Sequence, residues 1–379
     1  MNQNSTEVLQ LQAFLEHKTL YYDKIDFNTI KIAWEFVRMY VKLPYVIHIV
    51  GTNGKGSTGR FLAHYLHQKN YKVLHYSSPH ILTFNERIWV GGNSVKDEVL
   101  EEFHQALQTI IPQKLLAKLT YFEYTTLLAL LICSGMDYLV LEAGLGGEFD
   151  ATNVVINDLS LITPIDFDHQ QFLGNSIDAI ARTKLRSCDN TMIVAQQKHQ
   201  EVYSVAADFN FKKTKKYDTS CLKHLPFYLK ENLNLVCSAL EHLNIVIEMQ
   251  CFKNVQIPGR FEKIASNITL DVGHNPLAAT VIANELLQNK QKVSLVYNSF
   301  DDKDYKKVLE ILKPVITEVL IIEVDDKRIV KQELLEEVCK VLDIEYASFT
   351  TTNPSKNYLV FGSFSVAEKF LLLKREHEK

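Results

Sequence analysis

The chain has 379 residues, 46% of them hydrophobic and 23% charged, with a net charge of −4. A single core rarely grows past roughly 250–300 residues, so two domains are expected, and the composition excludes a disordered chain. The near-neutral balance gives no electrostatic reason for a nucleic-acid partner. Six cysteines, at 133, 188, 221, 237, 251 and 339, show no C-x-x-C spacing; they read as reduced thiols, mostly in cores, without zinc, in a cytoplasmic protein. The N-terminal Met-Asn-Gln-Asn-Ser-Thr-Glu lacks the form of a signal peptide. The most apolar stretch, Leu127 to Cys133, is too short to span a bilayer, so no membrane partner is expected.

In chain order, the first apolar run is Tyr45 to Val50. It leads through Gly51-Thr-Asn-Gly-Lys-Gly-Ser-Thr58 into a helical pattern over Ser57 to Gln68. A buried strand that turns through glycines into a helix start aims backbone N–H groups and Lys55 at one point, which suits the phosphates of ATP; three glycines with Lys55, Ser57 and Thr58 in a row are more than a bland turn needs. The spacing is not that of the ordinary phosphate loop, because Gly56 separates Lys55 from Ser57 and only two residues lie between Gly51 and Gly54.

Further strand-like runs at Lys72–Tyr76, Tyr138–Leu141, Leu159–Thr163 and Met192–Ala195 alternate with helical periodicity at Leu100–Ile110 and Tyr121–Cys133. This alternation predicts a mostly parallel sheet covered by helices on both faces, with ligands at the carboxyl ends of the strands. The first of these ends carries Ser77-Ser78-Pro79-His80, where a Mg²⁺ ligand and a simple turn look alike. Tyr121, Phe122, Glu123 and Tyr124 open a helix and suit either core packing or the stacking of an aromatic ligand. Tyr138–Leu141 delivers Glu142 beside Ala-Gly-Leu-Gly-Gly147 and Asp150-Ala-Thr-Asn153, a carboxylate that can hold Mg²⁺. Leu159–Thr163 ends in Pro164-Ile-Asp166-Phe-Asp168-His169. Alone His169 reads as a packing histidine; clustered with the glycine loop and Glu142 it points to metal or phosphate. Lys212 to Lys216 reads as a solvated loop.

Near Pro258-Gly259 the pattern breaks, dividing the chain into 1–255 and 256–379. A second series follows, with strands at Ile268–Val272, Val293–Tyr297, Glu318–Ile322 and Tyr358–Phe361 and helices near Leu277–Gln288, Tyr305–Leu312, Lys331–Leu342 and Val366–Leu373. Arg260 offers a planar fork for phosphate, or is a surface cation. Asp271-Val-Gly-His274-Asn275-Pro276 presents a carboxylate, an imidazole and a helix N-terminus that suit the same nucleotide. The expected fold class is α/β in two domains: an N-terminal, P-loop-containing, mostly parallel sheet with helices on both faces, and a smaller C-terminal Rossmann-like α/β domain.

With these motifs, and with Leu173-Gly174, Pro258-Gly-Arg-Phe261, Asp302-Lys-Asp304 and Gly362-Ser-Phe364, the chain resembles the folylpolyglutamate synthase and dihydrofolate synthase family of Mur-ligase-like, ATP-dependent amide-forming enzymes. The resemblance implies a monomer that ligates L-glutamate to dihydropteroate and to reduced folates through an acyl phosphate. By matching positions it assigns Asn53, Gly54, Lys55 and Gly56 to ATP phosphates, completed by Asn232, Arg260 and Asp271. Ser78, Glu142 and His169 would ligate Mg²⁺. Thr120, Tyr121, Phe122 and Glu123, with Phe149, Asp150 and Ala151, would border the pterin, near a loop containing His17-Lys-Thr19. His274 would stand near the reacting phosphate or the incoming glutamate, and Lys184 would be carbamylated, an anionic ligand near a second Mg²⁺. The chain departs from the family in three places. Thr183-Lys184-Leu185-Arg186-Ser187 replaces Glu before the lysine and Ala-Gly-Ile after it, Glu148 stands where arginine is usual, and the stretch from Cys188 to Cys251 is short. A reversed charge beside the acceptor pocket would change acceptor preference. Two other readings keep the glycine loop: a ligase for a cell-wall precursor, and a nucleotide-binding regulatory protein without ligase activity.

Overall fold

The structure, a computed structural model, describes residues 10–19 and 27–377; the N-terminal stretch read above for a signal peptide lies outside them. The chain divides into two compact units, Met1–Leu222 with Glu231–Val255, and Lys223–Lys230 with Gln256–Lys379. Residues 223–230 join the second unit because the start of the helix Phe227–His242 bonds there: the Tyr228 hydroxyl donates to Asp271 and the Phe227 N–H to Glu285. An unbroken helical pattern conceals that division.

Among the described residues the first unit contains β1 (Tyr45–Val50), β2 (Val73–Tyr76), β3 (Ile88–Val90), β4 (Asn93–Ser94), β5 (Tyr138–Glu142), β6 (Leu159–Ile162), β7 (Thr191–Val194) and β8 (Phe211–Lys213). They form one sheet in the order β4-β3-β2-β5-β1-β6-β7-β8, parallel except at β3 and β4. The inner strands are Val/Ile/Leu-rich and buried on both faces, as a parallel sheet requires. The chain leaves β1 toward β2 and leaves β6 toward β7, on opposite sides, so the crevice of this sheet opens at the carboxyl ends of β1 and β6. Phe61, Leu62 and Leu66 of the helix Lys55–Gln68 are buried beneath it, and the helix Tyr121–Ile132 is buried along almost its whole length.

The second unit contains β9 (Glu262–Ala265), β10 (Ile268–Leu270), β11 (Val293–Tyr297), β12 (Ile316–Ile321), β13 (Tyr346–Ser348) and β14 (Tyr358–Phe361), in the order β13-β12-β11-β14-β10-β9. Only β9 runs antiparallel among these described strands. Leu295, Val319, Leu359 and Phe361 pack with Val308, Leu312, Leu335 and Val338 from the helices Tyr305–Leu312 and Gln332–Val341. The six cysteines are free; Cys133, Cys237 and Cys339 are buried and Cys221 is exposed. Among the described residues no helix is long and apolar enough to cross a membrane.

Candidate active site

The glycine loop is shaped by what surrounds it. Gly51 turns out of β1 at φ +148°, and a Cβ there would lie 2.0 Å from Thr163 Oγ1. Gly54, at φ +90°, begins the helix Lys55–Gln68, and its missing Cβ makes room for Asn232 Oδ1. The Thr52 and Asn53 N–H groups donate to the Pro164 carbonyl at 2.9 and 3.3 Å, and the Thr52 hydroxyl donates to the Asp166 carbonyl at 3.0 Å. The loop is thus tied to the end of β6. Lys55 Nζ folds back onto the carbonyls of Gly51 and Thr52, at 3.2 and 3.3 Å. No acidic side chain stands in the helix's first turn to neutralise its positive end. Ser57 Oγ, Thr58 Oγ1 and Asn232 Nδ2 are buried without hydrogen-bond partners. Such groups are destabilising in a closed core, and at a loop of this form a ligand oxygen or a water would satisfy them.

Lys184, on the helix Ile177–Leu185, reaches beneath this loop, and its Nζ donates to the Gly51 carbonyl at 2.9 Å. It is 4% exposed. Burial, then the nearby charge of Lys55, push its pKa down to about 7, while Asp168 and Asp150 pull the other way. At neutral pH a sizeable fraction of this amine is unprotonated and nucleophilic.

Glu142 closes β5, buried, with Oε2 accepting the Ser78 N–H at 3.3 Å. These two predicted metal residues stand together. His169 is set against Asp168 instead: Asp168 Oδ1 accepts the His169 N–H at 3.0 Å and the ring Nε2 lies 3.8 Å from Oδ2. His169 holds φ +48°, a left-handed conformation rare outside glycine and frequent at functional sites. Among the described residues no group of three His, Cys, Asp or Glu side chains stands ready to hold a metal. One carboxylate and one hydroxyl suit Mg²⁺, which normally completes its shell with phosphate oxygens and water.

Among the residues expected to border the pterin, Thr120 and Glu123 form a capping box: Glu123 Oε2 accepts from the Thr120 N–H at 2.8 Å and from its hydroxyl at 2.9 Å. The Thr19 carbonyl accepts the Tyr121 N–H at 3.0 Å, so the His17-Lys18-Thr19 segment docks on this helix start. Phe122 stacks on Tyr76 with centroids 5.9 Å apart and leaves no room for a Cβ on Gly144. Phe149 is 51% exposed, edge-on to Phe27. Asp150 is buried, accepting the N–H groups of Leu145 and Thr152 at 2.7 and 3.0 Å; burial raises its pKa against these bonds. Ala151 is buried beside it.

Three residues outside the sequence-based set shape this region. His48 on β1 stands 2.9 Å from Thr152 Oγ1, and burial lowers its pKa to about 4, so a neutral imidazole steadies the Asp150 turn. Arg87 donates from Nε to His80 Nδ1 at 2.8 Å and lies over the Tyr121 ring; burial and Arg87 hold the His80 pKa at about 4. Arg60 lies over Trp89, within electrostatic reach of Glu86 and Glu142. The only signals for them in the sequence are polar side chains within helical or strand patterns, and Thr152, Tyr121 and Trp89, which they meet, lie far away in the chain.

In the second unit, Asp271 is buried and accepts from the Tyr228 hydroxyl at 2.9 Å, the Phe261 N–H at 2.9 Å and the Gly273 N–H at 2.8 Å. Burial raises its pKa, and Arg260 opposes the shift. The Arg260 guanidinium lies over the Phe364 ring. His274 Nδ1 is 3.3 Å from the Val272 carbonyl, and Asn275 caps the helix Pro276–Gln288 through the Ala278 N–H.

A parallel sheet whose first strand turns through glycines into a helix start, above a buried lysine and beside a buried carboxylate, defines a nucleotide-using phosphate-loop protein. No protein-family model matches the chain. The dihydrofolate synthase/folylpolyglutamate synthase of Haemophilus influenzae is 33% identical over 340 residues, 77% of this chain and 77% of that protein. The chain belongs to the dihydrofolate synthase/folylpolyglutamate synthase family. The crystal structure of Helicobacter pylori folylpolyglutamate synthetase is 40% identical, with 97% of this chain and 98% of that chain covered and a TM-score of 0.77. The bifunctional Yersinia pestis protein complexed with AMPPNP and Mn ion shares the fold across 100% of both chains, with a TM-score of 0.84 at 24% identity.

Proposed function

We propose that this protein is an ATP-dependent ligase that adds L-glutamate to dihydropteroate, forming dihydrofolate, and to reduced folates, forming polyglutamates. Family membership supports the reaction. The observation that carries it to this chain is the glycine loop with its buried, unpartnered Ser57 hydroxyl, bonded to a lysine whose pKa is near 7.

Lys55 and the loop N–H groups would hold the ATP phosphates, and Asn232, Arg260 and Asp271 are assigned to the nucleotide by their positions in the family motifs. Ser78, Glu142 and His169 would hold Mg²⁺, which when bound neutralises phosphate charge. The acceptor carboxylate oxygen takes the γ-phosphoryl group, the bond to the β-phosphate oxygen breaks, and ADP leaves. The glutamate amine then attacks the acyl carbon; phosphate departs, an amide forms and the amine gives up its proton. Thr120 to Glu123 and Phe149 to Ala151 border the acceptor, and His274 is assigned to the reacting phosphate or glutamate. The unprotonated, neutral Lys184 amine would add CO₂ and lose a proton, leaving an anionic carbamate whose oxygens could serve as metal ligands. The free cysteines support a reducing, cytoplasmic setting, and the enzyme is proposed to act as a monomer on small molecules.

Mass spectrometry of reactions holding ATP, Mg²⁺ and L-glutamate, with dihydropteroate in one and a tetrahydrofolate monoglutamate in the other, tests the reading. The expected result is a glutamate added to each. ATP hydrolysis without glutamate addition to either would overturn it in favour of a cell-wall-type ligase or a regulatory ATPase.

A further inference from the structure

One residue holds both flanks of Lys184. The Glu148 backbone N–H donates to the Thr183 carbonyl at 2.8 Å, and Glu148 Oε2 accepts from Arg186 NH1 at 3.3 Å. Before it, Gly147 lies flush on the lysine: a Cβ there would be 2.6 Å from the Lys184 carbonyl oxygen and 2.9 Å from its Cα. Behind it, the Glu148 carbonyl accepts from Asn153 Nδ2 at 3.0 Å, and Asp150 ties Leu145 to Thr152. The segment 144–153 is therefore closed on itself and fastened to residues 183–187. At its tip stands the exposed Phe149; at the other end of the linkage Lys184 Nζ is bonded to the Gly51 carbonyl of the phosphate loop.

We infer that Glu148 and Arg186 form a clasp that couples the acceptor loop to Lys184, making Glu148 a positioning residue for the ligation. Contact of the acceptor with Phe149 is passed through the Glu148 backbone and carboxylate to the helix end that aims Lys184 at the phosphate loop. This deepens the function proposed above and rests on it for the roles of Phe149 and Lys184. The two residues are also departures from the family pattern in the sequence, and they meet in space: the acid at 148 has its cation at 186. The side chains are 28% and 54% exposed, so the pair adds little to stability. Its effect is geometric, on where Lys184 sits.

The test uses the full chain with Glu148→Gln, Arg186→Ala and the exchange Glu148→Arg with Arg186→Glu. Each single variant is expected to lower kcat roughly three- to thirtyfold, the loss expected of a small misplacement at a reacting centre. KM for ATP should stay within about twofold, and Tm within about 1 °C, as for an exposed ion pair. Amide hydrogen exchange should speed up together in residues 144–153 and 183–187, and the exchange variant should recover most of both losses. Wild-type kcat in the single variants, an exchange variant no better than they are, or faster exchange in one segment alone would overturn the clasp. If the wild-type protein adds no glutamate to either acceptor, the functional reading has failed; hydrogen exchange still decides whether the clasp exists.

Discussion

Lys184 and Lys55 donate to the same Gly51 carbonyl, yet their substitutions should move stability differently. The Lys184 pKa is about 7 in the folded protein against 10.5 in the open chain. Between those values the unfolded chain carries a proton that the native state lacks, so stability rises with pH across the window and the cost of burial is full below about pH 7. Lys184→Met should abolish turnover in the Mg²⁺-containing assay and, in buffer free of CO₂ and metal, stabilise the fold by roughly 1–4 kcal/mol near pH 6.5, as replacing a buried charge by an apolar side chain often does. The gain should fade toward pH 10 in thermal melts; an equal gain at both pH values would remove the desolvated-lysine account. Lys55→Ala should likewise abolish turnover but leave Tm within about 1 °C, because the side chain is half-exposed and serves the loop rather than a core. Unchanged turnover would remove the phosphate-loop assignment. Lys55, Glu142 and the glycines are legible in the sequence because each follows directly on a buried apolar run. Arg60 and Arg87 are not, since what gives them meaning is Trp89 on β3 for the helical Arg60 and Tyr121 on a distant helix for Arg87.

Strands were legible according to their place in the sheet rather than their length. The runs that become β1, β2, β5, β6, β7, β11 and β14 are mostly apolar and continuous, whereas β3, β4, β8, β9 and β13 lie at or next to sheet edges and offer no sustained period. The helix Tyr121–Ile132 shows a different gap. Its aromatic start suggests packing or stacking, yet Thr120-x-x-Glu123 is also the sequence signature of a capping box, and that is how Glu123 is engaged. Thr120→Ala removes the cap, with an expected loss of about 1 kcal/mol in denaturant unfolding. The same substitution frees the end of the helix that carries Tyr121 and Phe122. KM for the acceptor should therefore rise by more than KM for ATP, and an equal rise in both would separate the cap from the acceptor side.

At the scale of the whole molecule, a nucleotide that binds the native state and not the unfolded chain stabilises it by mass action, about 2.7 kcal/mol at a hundred times Kd. The glycine loop, Asn232, Lys184 and Glu142 belong to one compact unit, and Arg260 and Asp271 to the other. A non-hydrolysable ATP analogue with Mg²⁺ should raise the transition of the loop-bearing unit by roughly 5–10 °C at that saturation, given about 2–4 °C per kcal/mol for units of this size. The shift should vanish in Lys55→Ala, whose loop lacks its cation. Arg260→Ala discriminates further. A guanidinium that touches phosphate gives up a charge-assisted bond when removed, so the shift should shrink by about half or more at equal analogue concentration. An undiminished shift in Arg260→Ala would remove Arg260 from the nucleotide's contacts and leave it as a surface cation.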